Sequence, residues 1–470
     1  MGDVFKYIIE EIKLIENLSK TRKVKVINGR KFSPKSGYFK KLKPKGFVLG
    51  IASSSYWRLD VGEDISATII SNNLNLKITE AFVRNVGSSV TRVKNTHSSK
   101  IHIHSFQNKS FSENQKYYFR KIIPIKTTLD FYHIIKDESF KHNGDRHTRG
   151  LVKLELDFKP FHVFIVEHEK KKYLALDCLH ALILDEFSEL TWSIMVGLGY
   201  LLGHLVQEEE YTFCYRNKQL KGFSNFEYSQ RRDSIKSFYT PIYANPYSWI
   251  KRNKKIADKY YGKINEITSA QLSKLCEIIH REDNIKAIIL LITESLSRSL
   301  LLMPAGLSVA LEGISEYFSS KNADKVNPIK NAKLAIEFKK DLVIVLEKYN
   351  AIECFNGYEI MQTKIANINS PTNREKLKAP FTILTIPLTA IDEEILEYRN
   401  DFLHGNINLT PQKGRKTYSM DSFEISMRLL TLLNMVIMKM SGYQGCIINH
   451  VKTQEEGLRK TINEDYYRLI

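Results

Sequence analysis

Residues 391–405 read Ile-Asp-Glu-Glu-Ile-Leu-Glu-Tyr-Arg-Asn-Asp-Phe-Leu-His-Gly, and they include residue types able to cut RNA without a metal. Arg399 is a permanent, forked cation suited to phosphate oxygens. His404 titrates near neutrality and can take and return a proton. A base that removes the ribose 2′-proton lets the 2′-oxygen attack the adjacent phosphate. The products are a 2′,3′-cyclic phosphate and a 5′-hydroxyl, and the charge developing on the phosphoryl oxygens needs a cation held in place. The same residues also fit a structural role, a helix-end histidine beside an arginine paired with Glu397 or Asp401.

Other chemistries lack their signatures. The chain has no Gly-x4-Gly-Lys-Ser/Thr, no His-Glu-x-x-His and no Gly-x-Ser-x-Gly. Gly197-Leu198-Gly199, followed by Gly203, lies in an apolar helical stretch and reads as close helix packing. His102 with His104, and His142 with His147 around Asp145, can each offer two metal ligands, but neither pair has further partners at suitable spacing. No metal and no cofactor are expected.

The elements that must position Arg399 and His404 are helical. Ile391, Ile395, Tyr398 and Phe402 recur at four, three and four, which predicts a helix over Ala390–Leu403 closed by Gly405 as a left-handed cap. On an ideal helix Asn400 and His404 share a face, whereas Arg399 lies about 140° from His404. Arg399 and His404 then converge only if the last turn unwinds or if two chains meet. Further helices are expected over Gln271–Arg281, Asn284–Leu302 and Leu307–Phe318. Another should start at an Asn327 cap with Pro328 and carry Leu334, Phe338, Leu342, Val345 and Tyr349. Asp421 and Glu424 resemble a capping box opening a last helix to Gly442, apolar nearly all round and therefore either central or shared with a partner chain. Pro380–Leu388 resists assignment.

The predicted fold class is α+β: a β-rich N-terminal module followed by a C-terminal all-α bundle. Residues 1–45 read as an amphipathic helix and a basic arm or irregular hairpin. Residues 46–250 read as a β-rich recognition module, with strands at Phe47–Leu49, Ile65–Ile70, Leu74–Ile78, Ile101–His104, Leu151–Phe158 and Phe161–Val166, and a mostly helical stretch over Asp177–Glu210. Phe238–Ile250, with two prolines and five aromatics, reads as its closing linker. Residues 251–470 are the bundle.

Length and composition, 470 residues at 43% hydrophobic, exclude wholesale disorder. Five scattered cysteines with no Cys-x-x-Cys argue for reduced, partly buried thiols. No secretory signal opens the chain, and Leu190–Val206 is too short and glycine-rich for a membrane span, so a cytoplasmic protein with no membrane partner is expected. The net charge is +18, and Lys20–Lys45 holds eleven Lys/Arg and no acid. That balance points to a polyanion such as RNA. Candidate phosphate contacts are Lys40, Lys41 and Lys43, with Lys251, Arg252, Lys254 and Lys255 ahead of the bundle.

Arg399-Asn400-x-x-x-His404-Gly405 at the end of a helix in an α-bundle resembles the Arg-Asn-x-x-x-His signature of HEPN domains, and in particular of the Apea-like group. The resemblance covers residues 285–445. It implies a metal-independent endoribonuclease, with His404 transferring the proton, Arg399 supplying the cation and Asn400 orienting by hydrogen bond. It further implies a homodimer joining two Arg–His sets in one cleft, to which the apolar last helix contributes. Such proteins are commonly toxins or anti-phage effectors, which implies a phage-derived trigger or inhibitor. The alternative is a non-catalytic HEPN-like dimerisation bundle with a module that binds nucleic acid or protein.

Overall fold

A computed structural model of the chain describes residues 8–28, 35–53, 65–69, 74–91, 94–108, 114–127, 129–142, 146–297, 299–350, 352, 357–403 and 420–470. The chain divides into two units, Met1–Phe238 with Glu266–His280, and Tyr239–Asn265 with Arg281–Ile470. The division falls at Phe238, ahead of the boundary expected at residue 250.

In the first unit, helix α1 (Ile8–Leu18) precedes six strands, β1 (Arg22–Asn28), β2 (Lys35–Lys41), β3 (Phe47–Ser53), β4 (Ile65–Ile69), β5 (Leu74–Thr91) and β6 (Lys94–Gln107). They pair antiparallel in the order β3-β2-β1-β4-β5-β6, and β3 also pairs with β6, which closes a six-stranded barrel. The basic stretch, expected as an arm or irregular hairpin, supplies the antiparallel pair β1–β2 of the barrel. The cause is visible in β1, where Val24 and Val26 are buried while Lys23 and Lys25, alternating with them, are exposed. Burying the valines fixes the strand, and the lysines follow to the outside. Val24, Phe39, Phe47, Leu49, Ile101 and Ile103 are among the apolar residues that fill the interior.

The end of β6 runs past β3 and pairs Ser105–Gln107 with Glu227–Ser229. One strand thus serves both the barrel and an open antiparallel sheet. That sheet contains β7 (Tyr117–Ile125), β8 (Glu138–His142), β9 (Arg146–Leu156), β10 (Lys159–His168) and β11 (Lys171–Leu182). Helix α2 (Leu184–Leu202) follows, and then β12 (His204–Leu205), β13 (Glu209–Tyr215), β14 (Asn225–Gln230) and β15 (Ile235–Lys236). The sheet order is β14-β13-β7-β11-β10-β9-β8, while β12 and β15 pair separately. The Asp177–Glu210 stretch expected as mostly helical is α2 flanked on both sides by strand residues.

Its polar interior is organised by Arg120, which is fully buried. Arg120 donates from Nε and Nη2 to the two Asp177 carboxylate oxygens at 2.6 and 2.8 Å, and Glu11 of α1 lies 3.5 Å from Nη1. The Tyr215 hydroxyl donates to Glu11. Burial raises the Glu11 carboxyl above its ordinary range, against the pull of Arg120. These bonds pin α1 to β7, β11 and β13.

After the one-turn Pro246–Ser248 helix and α3 (Lys254–Tyr260) in the second unit, the chain returns to the first as α4 (Ser269–Arg281). The glycines of α2 explain themselves here. A Cβ on Gly197 would meet the Cys276 Sγ of α4 at 3.0 Å, and one on Gly199 would meet Leu205 at 2.9 Å. Gly203 closes the helix at φ 61°.

The second unit is built from α5 (Asp283–Leu296), α6 (Met303–Lys321), α7 (Ala323–Val326), α8 (Ala332–Asn350), α9 (Tyr358–Ala366), α10 (Asn373–Ile383), α11 (Ala390–Leu403) and α12 (Ser422–Met440). It ends with β16 (Cys446–Ile448), α13 (His450–Thr453), α14 (Glu455–Leu458) and β17 (Tyr467–Leu469). Helix α6 packs against α5, α10, α11 and α12. Helix α12 is buried along nearly its whole length, so its apolar circumference is satisfied within the chain. Asp421 caps it, accepting from the Glu424 N–H at 2.7 Å, while the Glu424 side chain turns instead to Arg428 and Lys460.

Helix α8 departs from expectation in two ways. Its cap is Asn331, whose Oδ1 accepts from the Lys333 and Leu334 N–H groups, whereas Asn327 closes α7. The predicted apolar stripe also faces outward: Leu334, Phe338, Val345 and Tyr349 are exposed, and Ala335 and Leu346 are buried. No helix among the described residues is long and apolar enough to cross a membrane.

Candidate functional site

Helix α11 spans the predicted residues, and its first turn is strongly fixed. Thr389 and Asp392 cap one another, the Thr389 N–H donating to Asp392 Oδ2 at 2.8 Å and the Asp392 N–H to Thr389 Oγ1 at 3.2 Å. Arg468 of β17 then grips both Asp392 oxygens, at 2.7 and 3.3 Å. Burial pushes the Asp392 carboxyl up, but Arg468 and the Thr389 bonds outweigh it and hold the group below its ordinary range. Ile395 and Leu396 sink into the bundle.

The outer side of α11 is tied to α10. Glu393 pairs with Lys378 at 2.8 Å, and Glu397 with Arg374 at 3.3 Å. Glu397, one of the two carboxylates considered as a partner for Arg399, is thus engaged by Arg374. A cleft of about 440 Å³ runs between the helices, lined by Arg374, Leu377, Lys378, Glu393, Leu396 and Glu397 among others. Asn400 follows Leu396 by one helical turn. Arg399 and Asn400 belong to the last turn of α11, but their side chains, and that of Asp401, lie outside the described residues. His404 and Gly405 fall in the 404–419 segment, also outside them.

The candidate phosphate contacts fall in both units. In the first, the alternation of β2 divides them. Lys40 is exposed on the barrel exterior, in a cleft of about 640 Å³ with Tyr38, Lys100 and His102. Lys41 is committed to Glu209 at 2.8 Å, where the Gly46 N–H and the Tyr228 hydroxyl also donate. Lys43 is exposed in the following turn, and Lys45 pairs with Asp233 at 2.7 Å. In the second unit, Lys251, Arg252, Lys254 and Lys255 are exposed around the start of α3, and Arg252 reaches Glu456 at 2.5 Å.

Several other reactive groups among the described residues are held in structural settings. Burial drives the thiol of Cys178 up to about 12 and that of Cys276 higher, so neither is a ready nucleophile. Burial holds the His450 imidazole down at about 3, where its Nε2 meets Asn434 Nδ2 at 3.1 Å, so it remains neutral between α12 and α13. Among the described residues, Glu16, His168 and Glu169 bring three possible ligand atoms within 4.8 Å of one another. Glu16 already accepts from Lys171 at 3.1 Å and Tyr173 at 3.2 Å. The side chains of His142 and His147 lie outside the described residues.

No protein-family model, curated protein or solved structure matches this chain. Residues that the sequence did not assign to phosphate binding also gather at the barrel cleft. Tyr38, Lys100 and His102 join Lys40 there through strand register, a long-range relation that carries no local spacing signal.

Proposed function

We propose that the chain is a metal-independent endoribonuclease of the HEPN type. The observation that carries this reading is α11, a helix over the expected residues, packed against α6, α10 and α12, whose final turn contains Arg399 and Asn400 with His404 next along the chain. In this reading His404 takes the ribose 2′-proton and returns a proton to the leaving 5′-oxygen. Arg399 neutralises charge on the phosphoryl oxygens, and Asn400 orients the histidine or the phosphate.

The active form is a two-fold dimer, because Arg399 and His404 diverge by about 140° on one ideal helix. With α12 enclosed in its own unit, the pairing surface falls to other helices. Exposed Ile336, Phe338, Ile344, Ile360 and Met361 on α8 and α9 support that role. The chain acts as a toxin or defence effector, quiet until a trigger, such as a phage product, releases it.

Arg399→Ala and His404→Ala test the reading. Each abolishes EDTA-insensitive RNA cleavage and leaves the circular dichroism spectrum unchanged. Cleavage that survives His404→Ala, or that disappears in EDTA, removes the mechanism.

A further inference from the structure

The exterior of the barrel carries two cross-strand rows set by register. Lys23 is opposite Tyr38, Tyr38 opposite Gly50, and Gly50 opposite Lys100. Two residues along each strand, Lys40 is opposite Val48 and Val48 opposite His102. Successive residues of a strand face opposite ways. Since Val24, Phe39, Leu49 and Ile101 are buried in the interior, both rows face outward. Adjacent strands lie about 4.8 Å apart, so Lys23 and Lys100, on the outer strands of four, bracket Tyr38 within roughly 14 Å.

Tyr38 is 38% exposed, and its ring lies over the Gly50 backbone. A Cβ on Gly50 would come within 2.2 Å of the ring. Glycine at this strand position is therefore what allows the ring to rest across β3. The cleft of about 640 Å³ beside it is lined by Tyr38, Lys40, Lys100 and His102, together with Thr21, Leu42 and Val48, and among the described residues no carboxylate lines it. Among the described residues, no ion pair engages Lys23, Lys40 or Lys100, in contrast to Lys41 and Lys45, which Glu209 and Asp233 neutralise. Among the described residues, the fold has placed cations without paired acids around one exposed aromatic ring.

We propose that this face binds single-stranded RNA, with Lys23, Lys40 and Lys100 on phosphates and one unstacked base on Tyr38. Uncompensated cations supply the backbone affinity. An exposed ring can take a base face only where the base is not already stacked in a duplex, which selects single strands. The proposal deepens the nuclease reading and rests on it for the choice of RNA over other polyanions.

The test uses the full chain carrying His404→Ala, so that RNA stays intact, and a fluorescein-labelled single-stranded 12-nucleotide RNA followed by anisotropy over a salt series. Tyr38→Ala weakens binding roughly tenfold, and Tyr38→Phe restores it. Lys40→Gln and Lys100→Gln each weaken binding and flatten the slope of log K against log salt by about 0.7. The same sequence as a duplex binds more weakly.

Unchanged affinity in Tyr38→Ala and in both lysine variants overturns the proposal. So does equal binding of the duplex, or binding of phosphatidylserine vesicles with none of the RNA. The two readings fail separately. A wild-type chain that binds through these residues and never cleaves removes only the nuclease. A chain that cleaves while Tyr38→Ala and both lysine variants bind normally removes only this surface.

Discussion

The barrel face and the end of α11 assemble their residues by opposite means. Lys23, Tyr38, Gly50 and Lys100 come from four strands, and one registry of β1, β2, β3 and β6 brings them into line. Arg399, Asn400 and His404 are almost contiguous, and what the fold supplies is an anchored helix beneath them: the Thr389–Asp392 cap, the Arg468 clamp and the buried Ile395 and Leu396. A site made by register can lose one member and keep the rest. A site made by contiguity depends on its few members acting together. Under the proposed function, the two are expected to respond differently to substitution: graded loss of binding at the barrel, near-complete loss of turnover at α11.

The largest expected effect sharpens that contrast. Arg399→Ala lowers the RNA cleavage rate by about 10²–10⁴, the usual weight of a general acid–base or charge-stabilising residue. Its affinity for single-stranded RNA stays within twofold, measured on the same preparations. A parallel fall in affinity would mean that Arg399 serves substrate binding.

Next come the two polar anchors. Asp177→Ala leaves the fully buried Arg120 charge uncompensated and costs about 3–5 kcal/mol in urea denaturation. Arg468→Ala, at a clamp whose arginine is 16% exposed, costs about 1–3 kcal/mol. Equal losses would contradict the distinction between a lock deep in the first unit and a clamp near the surface of the second.

A pH series tests the second unit's core. His450 titrates at about 3 when folded and at about 6.5 when unfolded. The unfolded chain therefore binds the extra proton between those values. This contribution is complete above pH 6.5 and is lost as the pH falls, by about 1.4 kcal/mol per unit. Read between pH 6.5 and 5, above the carboxylate range, His450→Gln removes that slope. A slope unchanged by the substitution would assign the acid sensitivity elsewhere.

The smallest effect concerns a cap. Thr372 and Glu375 form a full capping box on α10, the Thr372 N–H donating to Glu375 Oε2 at 2.9 Å and the Glu375 N–H to Thr372 Oγ1 at 3.3 Å. Thr372→Ala costs about 1 kcal/mol, seen as a shift in the denaturation midpoint.

What was legible in the sequence follows the range of the interactions. The bounds of α11 and nearly all of α12 are written in local periodicity and the Asp421 cap, and every strand expected from apolar runs overlaps an observed strand, although Leu151–Phe158 runs two residues past the end of β9 and Ile70 lies outside the described residues. The basic segment left an arm and an irregular hairpin both open, because its density of lysine obscured the alternation Lys23-Val24-Lys25-Val26, which is the signal of a half-buried strand. Barrel closure depends on β3 meeting β6, a pairing no local pattern announces. The Asn331 cap and the outward stripe of α8 were missed for a related reason. Spacing identifies an apolar face, but only the surrounding elements decide whether it is covered. At the candidate site, the helix was legible, whereas the role of Arg374 in engaging Glu397 depended on how α10 and α11 pack.

The most direct test of the central claim is the end chemistry of RNA cut by the wild-type chain in EDTA. Ligation-based sequencing that distinguishes terminal groups should find 2′,3′-cyclic phosphates and 5′-hydroxyls, in amounts unaffected by the chelator. Products ending in 3′-hydroxyl and 5′-phosphate, or products that form only when divalent metal is restored, would contradict the account.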